Sequence, residues 1–401
     1  MVTQTVTRTV PGAGASPKLA PAELPALAPA EPAAKKERLY MGYFLTPVVW
    51  KNALGFLVLH LIAVYGLYVL CARGKVLSWF YVWLSGLLCG FGVTVGAHRL
   101  FTHRCFRASW GVRFALVVLH TIAGQNCMYV WVRDHRQHHR YSDTHADPHN
   151  VQRGFFFSHI GWLMMRKHPA VFEKGKNIDL SDLERDPIVM FQKRYYKTLY
   201  VLFAIMLPTM IPILAWDERP DVALFGCYFF RMIMVLNITW LVNSAAHMFG
   251  TRPFNKNIEA VECKMVAFLS LGEGWHNYHH CFPWDYRAAE LGSKHDLSTK
   301  VIDFMARRGW VTDLKFASES LVRKRAMEMG DGTHAKYGDP ATTHEPHQPY
   351  QHHHFMPEET PISAASTKWV KHEEDAAAAA AAREFVQTLP TAKGAAAMSL
   401  S

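Results

Sequence analysis

Eight histidines fall into three short runs whose spacing suits metal ligation. Arg133-Asp-His135-Arg-Gln-His138-His139 places imidazoles at i, i+3 and i+4. On an α-helix, 100° per residue keeps the second and third within about 60° of the first, on one face. Trp275-His276-Asn-Tyr-His279-His280 repeats that spacing, and Gly96-Ala-His98-Arg-Leu-Phe-Thr-His103 adds a pair. One such run alone reads as a solvated polar helix; its recurrence argues for ligands. A ninth histidine, His247, stands at the end of a long apolar run. Neutral imidazole suits iron, copper, nickel and zinc, and without carboxylates among the candidates magnesium and calcium are poor fits. A tetrahedral site takes four ligands and an octahedral one six, so eight or nine imidazoles imply two metals. The zinc-protease pattern HExxH is absent.

The rest of the chain must bring these runs together. Of 401 residues, half are hydrophobic, and 43 Lys+Arg against 33 Asp+Glu give a net charge of +10. No nucleic-acid-binding motif accompanies the basic excess, which fits a membrane protein with basic cytosolic faces. The seven cysteines are scattered without a CxxC pair, so they read as reduced packing residues. No signal peptide is visible at the Ala/Pro-rich start. Apolar runs near 52–71, 76–97, 198–216 and 222–246 predict four membrane spans, the third kinked by Pro208 and Pro212 and the fourth carrying Arg231. Phe114 to Val132 is also uncharged. As a span, it would put His98 and His103 on one side of the membrane and His135, His138 and His139 on the other. It is therefore expected to lie in the interface or buried against the spans. Every histidine run then lands on the cytosolic side, in 98–197 and 247–329, and both termini are cytosolic. Only Arg73 and Lys75, in the first short link, run against the positive-inside rule. The fold expected is all-α: a polytopic membrane protein of four transmembrane helices under a cytosolic helical cap. It occupies 38–329, between disordered tails at 1–37 and 330–401. His352-His-His354 in the second tail reads as solvated.

The boxes His98-Arg-Leu-Phe-Thr-His103, His135-Arg-Gln-His138-His139 and His276-Asn-Tyr-His279-His280 resemble those of membrane-bound fatty acyl desaturases. Gly124-Gln-Asn126, Thr144-His-Ala-Asp-Pro-His149, Gly154-Phe-Phe-Phe-Ser158, Asn243-Ser-Ala-Ala-His247 and Phe282-Pro-Trp-Asp-Tyr286 narrow the resemblance to the animal stearoyl-CoA desaturase family. The likeness runs from about Trp50 to Arg323, with Phe101 where the family often has Trp. It implies two iron ions (Fe2+) in a histidine-box di-iron site. His98, His103, His135 and His280 would hold one. His138, His139, His247, His276 and His279 would hold the other, with Asn243 reaching the first through a water. It implies a cis double bond, at delta-9, placed in a saturated long-chain acyl-CoA with O2. The electrons would come from cytochrome b5 and its NADH reductase, in the endoplasmic reticulum membrane. No haem domain or dinucleotide fingerprint is present to replace these partners.

An unactivated C–H bond offers no polar handle, so an oxidising metal and a shape-selective apolar tunnel are needed. Each buried CH2 contributes about 0.8 kcal/mol. By resemblance, Gln125, Thr239 and Trp240 line the tunnel's bend, and Val82 and Gly86 set its far end. Asn126, Arg133, Asp134, Arg166 and Lys167 contact the CoA head. From the residues alone, Trp240 and Thr239 read as ordinary core positions and Arg166-Lys167 as a lipid-headgroup contact. Desaturation at delta-11, hydroxylation and acetylenation share the boxes, and a His-rich membrane metal transporter is the alternative of a different class.

Overall fold

A computed structural model describes residues 45–290 and 292–338. The expected tail at 1–37 lies outside the described residues, as do 339–401 with the His352–His354 run. Of the tail expected from 330, residues 331–338 fold back on the cap. Asp331 N–H donates to Arg252 O at 3.0 Å, and the buried His334 ring stacks on Tyr337 at 4.9 Å.

Among the described residues, four helices are long and apolar enough to cross a membrane: α1 (Trp50–Arg73), α2 (Val76–Thr102), α5 (Pro187–Trp216) and α6 (Val222–His247). Between them lie α3 (Trp110–Ala123) and α4 (Met128–Arg140). The spans project Leu54, Leu57, Leu61, Val64, Leu202 and Met210 outward. That is the signature of helices solvated by lipid rather than water. Gly66 lets α1 and α6 touch closely, since a Cβ there would fall 2.0 Å from Phe225 O.

The two short links meet at one end of the bundle. Arg73 Nη1 pairs with Asp221 Oδ2 at 3.0 Å, and Lys75 Nζ donates to Trp216 O at 2.8 Å. The buried Glu218 carboxylate accepts from Lys75 N–H at 2.9 Å and from the Ser78 hydroxyl. The two basic residues that oppose the charge rule are thus held by the acidic link. Arg231, fully buried in α6, donates from Nη1 to Ile122 O in the last turn of α3 at 3.1 Å and lies 2.8 Å from Cys89 Sγ. It ties α2, α3 and α6 together.

The 114–132 run is not a straight crossing. Its helices meet at 87°. Gly124 caps α3 at φ 73° and Asn126 sits at φ 76°, a left-handed turn that reverses the chain into α4. α5 departs from its expected form, because its backbone breaks at Tyr195 (φ −104°, ψ 16°) and widens to a π-helix over Tyr200–Met206, ahead of both prolines. At the histidine-bearing end, Arg107–Ala108 pairs antiparallel with Val311–Thr312 and closes the cap over the boxes.

Candidate metal centre

His98 and His103 are five residues apart, which on an α-helix would set them about 140° apart. The last stretch of α2, Gly92–Thr102, is instead a π-helix, in which each turn closes on the fifth residue. His103 N–H donates to His98 O at 3.1 Å, and the two rings lie 4.9 Å apart.

In α4 the residues between the ligands clamp the helix. Arg136 holds Asp182 through both oxygens at 2.7 Å and Phe101 O at 2.6 Å. Gln137 Nε2 donates to Ala146 O and Val171 O. The third box is the short helix α7 (His276–Cys281), and it uses the same device. Asn277 accepts from Phe254 and Asn255 N–H and donates to Asn255 O and Ala260 O, while Tyr278 Oη donates to Asp285 Oδ2. Side chains pointing away from the metal centre are fully bonded, so those pointing inward have one orientation.

All nine histidines converge, in two groups. His98, His103, His135, His139 and His279 form one; His138, His247, His276 and His280 form the other, the ligand atoms of each lying within 4.8 Å of one another. This corrects the division expected by resemblance, exchanging His279 and His280 and moving His139. Helix geometry explains it. Residues at i and i+4 share a side, so His135 stays with His139 and His276 with His280. The i+3 residue in each box, His138 or His279, turns to the opposite group.

The rings fit metal ions. Nε2 of His279 lies 3.0 Å from Nε2 of both His98 and His139, and Nε2 of His280 lies 3.3 Å from that of His138 and 3.1 Å from that of His276. Two nitrogens each about 2.05 Å from a tetrahedral ion lie about 3.3 Å apart, so these are ligand separations. The buried Nε2 atoms of His103, His135 and His247 have no hydrogen-bond partner. Burial, reinforced by neighbouring imidazoles, holds His103, His276, His279 and His280 well below the ordinary histidine pKa. They stay neutral and able to ligate.

Carboxylates stand behind three of the rings, and the sequence reading missed them. Glu273 Oε2 lies 2.7 Å from His98 Nδ1, Asp147 Oδ2 2.8 Å from His138 Nδ1, and Asp143 Oδ2 3.4 Å from His247 Nδ1. The hydrogen bond from His138 puts the proton on its Nδ1 and turns Nε2 inward, and the carboxylate charges beside His98 and His247 favour the same orientation. Burial alone would raise Glu273, but the Arg99 guanidinium and the His98 ring leave it below the usual carboxylate range. His149, also missed, is buried with its ring 4.4 Å from that of His138. Asp147 and His149 belong to the 144–149 motif already singled out; Glu273, three residues before His276, carried no signal of its own.

A cavity of about 800 Å³ reaches this centre. His135 and His149 form part of its wall, with Asn126, Arg133, Asp134 and Lys167 as polar lining and Phe56, Val201, Met232 and Leu236 as apolar lining. Asp134 binds both cations, Arg133 Nη2 at 2.7 Å and Lys167 Nζ at 2.7 Å. Gln125, Thr239 and Trp240 also line it. Trp131 Nε1 donates to Gln125 Oε1 at 3.3 Å, and Gln125 Nε2 donates to Thr239 Oγ1 at 2.8 Å. Asn243 lines it four residues before His247. Arg166 is exposed and stands outside the lining, as do Val82 and Gly86. Val82 is buried in a cluster with Leu70, Val222 and Cys227, and Gly86 faces Met234 and Val235 of α6.

The fatty acid desaturase family profile matches residues 77–303, a stretch holding all nine histidines. The chain belongs to that family. It is 49% identical over 308 residues to the acyl-CoA Delta-9 desaturase of Acheta domesticus, covering 77% of this chain and 85% of that protein. Identity is also 49% to the acyl-CoA Delta12-desaturase of the same organism, covering 73% and 82%. The human stearoyl-CoA desaturase is 48% identical, covering 71% and 79%. This desaturase is thus an oxidoreductase, not a metal transporter. Its histidines sit together at one end of the bundle, where a transporter would place ligands along the spans.

Proposed function

We propose that this desaturase inserts a cis double bond at carbon 9 of a saturated long-chain fatty acyl-CoA. It would use O2 and electrons from a separate cytochrome b5 with its NADH reductase. The observation carrying this reading is a cavity with cations and Asn126 among its polar lining, an apolar remainder, and His135 of the metal centre in its wall. Arg133 and Lys167 offer donors to the CoA phosphates. The apolar lining takes the alkyl chain and excludes water. Gln125, fixed between Trp131 and Thr239, has its Oε1 and one amide hydrogen paired within the wall rather than presented to a CH2 group.

The nine histidines would hold two iron ions, with Asn243 near one through a water. When bound, the ions supply the oxidising power that an unactivated C–H bond requires. Glu273, Asp147 and Asp143 would hold the rings of His98, His138 and His247 in their orientations. Carbon 9 is preferred because the overall set of motifs resembles the stearoyl-CoA enzymes, although the two cricket relatives differ in position at equal identity. The endoplasmic reticulum membrane, with both termini cytosolic, fits four spans and a histidine-bearing end rich in basic residues.

Expression in a desaturase-deficient yeast, with mass-spectrometric location of the double bond, tests the reading. A carbon-9 alkene is expected. An alkene at carbon 11 or 12 changes only the position; a hydroxylated product changes the reaction; no oxidised product, with iron bound and donor present, overturns it.

A further inference from the structure

Trp240, 3% exposed, forms part of the cavity wall. Phe56 meets its indole edge-on at 5.7 Å, His60 stacks at 6.3 Å, and His159 meets it edge-on at 5.8 Å. His60 and His159 do not line the cavity. They are joined behind the indole by a chain of hydrogen bonds whose direction is fixed from His60 as far as His159 Nε2.

His60 Nδ1 lies 2.7 Å from Phe56 O, which can only accept, so Nδ1 carries the proton and Nε2 a lone pair. Asn237 Nδ2 gives one hydrogen to Ile233 O at 2.8 Å and the other to His60 Nε2 at 3.2 Å. Its Oδ1 faces His159 Nε2 at 3.2 Å, so that nitrogen donates. His159 Nδ1 lies 3.0 Å from the Ser244 hydroxyl, which donates to Trp240 O at 2.8 Å. Ser244 N–H reaches the same carbonyl at 3.1 Å. The chain thus links α6 through the 157–161 π-turn to α1 and ends on the Trp240 backbone itself. Two imidazoles and an amide among membrane-spanning helices are costly unless satisfied together, and a satisfied network is rigid.

We propose that His60, Asn237, His159 and Ser244 are positioning residues that immobilise the Trp240 indole and so select which carbon of the acyl chain faces the histidine groups. The proposal rests on the acyl-CoA reading above. Loosening the indole changes the register of the chain rather than its binding, and a displacement of about 1 Å is enough to change a reaction rate about 100-fold.

The test uses the full chain with Asn237→Leu and His60→Phe, which keep shape and remove hydrogen bonds, and Ser244→Ala, which removes only the last link and retains a foldable variant. In the yeast assay, the ratio of positional isomers among the alkenes does not depend on how much protein folds. The share of alkene displaced from the main position should rise about tenfold in Asn237→Leu. An unchanged ratio at lower yield overturns the proposal, since the chain would then serve the fold alone. If the unaltered enzyme makes no alkene, the acyl-CoA reading fails, and purified protein is photo-crosslinked with stearoyl-CoA carrying a mid-chain diazirine. Crosslinks on one peptide that spread in the variants support the positioning role. Identical maps, or no crosslink in the unaltered protein, overturn it.

Discussion

His103 donates its backbone N–H to the carbonyl of His98, five residues back, at 3.1 Å. That π-turn brings the two ligands of the first box onto one side and gives the first group a member whose buried Nε2 has no other partner. The two groups draw on different histidines, so each should empty separately. With one iron in each group, as proposed, His103→Ala and His247→Ala should each lower bound iron from two ions per chain toward one. Elemental analysis against protein concentration reads this. A loss of all iron from either variant would show instead that the groups form one inseparable site.

Glu273 is joined to His98, Arg99 and, through Arg99, Asp296. Glu273→Gln keeps the size of the side chain but loses the charge that orients the His98 tautomer. Removing such a partner typically lowers metal affinity about 10–100-fold. Chelator competition should show that loss in the first group while the ion held by His247 keeps its affinity.

The pH response follows from burial of neutral imidazole. His276, His279 and His280 have folded-state pKa values well below that of an unfolded histidine, about 6.5. Above that pH neither state binds a proton at these rings, and stability is unaffected. As pH falls below it, the unfolded chain gains protons that the folded one refuses, so stability declines. The Tm of the metal-free protein should be level near neutrality and fall on acidification. Bound metal, competing for the same lone pairs, should shift the fall to lower pH. A Tm that rises on acidification would contradict neutral burial.

Much of the centre was legible because ligation depends on residue type and spacing. The i, i+3, i+4 runs marked six of the nine clustered histidines, and the requirement that one centre collect them argued against a straight span at 114–132, which bends by 87°. The π-turn was not legible, since nothing in the residue types of Gly92–Thr102 marks closure on the fifth residue rather than the fourth. Glu273 was silent because a lone carboxylate has no periodicity, and its role exists only where α2 meets the loop before α7. The sharing of ligands between groups was misread for the same reason. It depends on how two helices face each other, which the spacing within either does not encode.

Gly86 stands apart from the cavity, yet a Cβ there would meet Met234 Cε at 3.4 Å and Val235 Cγ2 at 3.8 Å. An indole has no room without displacing α6 side chains next to the apolar lining residues Met232 and Leu236. Gly86→Trp should therefore shift preference from eighteen-carbon toward shorter acyl-CoA substrates, measured by competition between chain lengths. Normal use of the eighteen-carbon substrate would remove Gly86 from any role in chain length.

Lys167 and Arg133 share Asp134, so these three side chains carry one net positive charge in the cavity wall. An anionic head arriving there exchanges part of that pairing for its own. Hydrogen bonds to charged groups contribute about 1.5–3 kcal/mol, so Lys167→Met should weaken acyl-CoA binding by about tenfold or more at low salt. The Lys167 side chain is 25% exposed, so screening should narrow the difference as ionic strength rises. Binding of a free fatty acid, which lacks the phosphates, should change far less. Equilibrium binding of both ligands across a salt series checks this. Equal losses for ester and free acid would place Lys167 in support of the cavity wall rather than in contact with the CoA head.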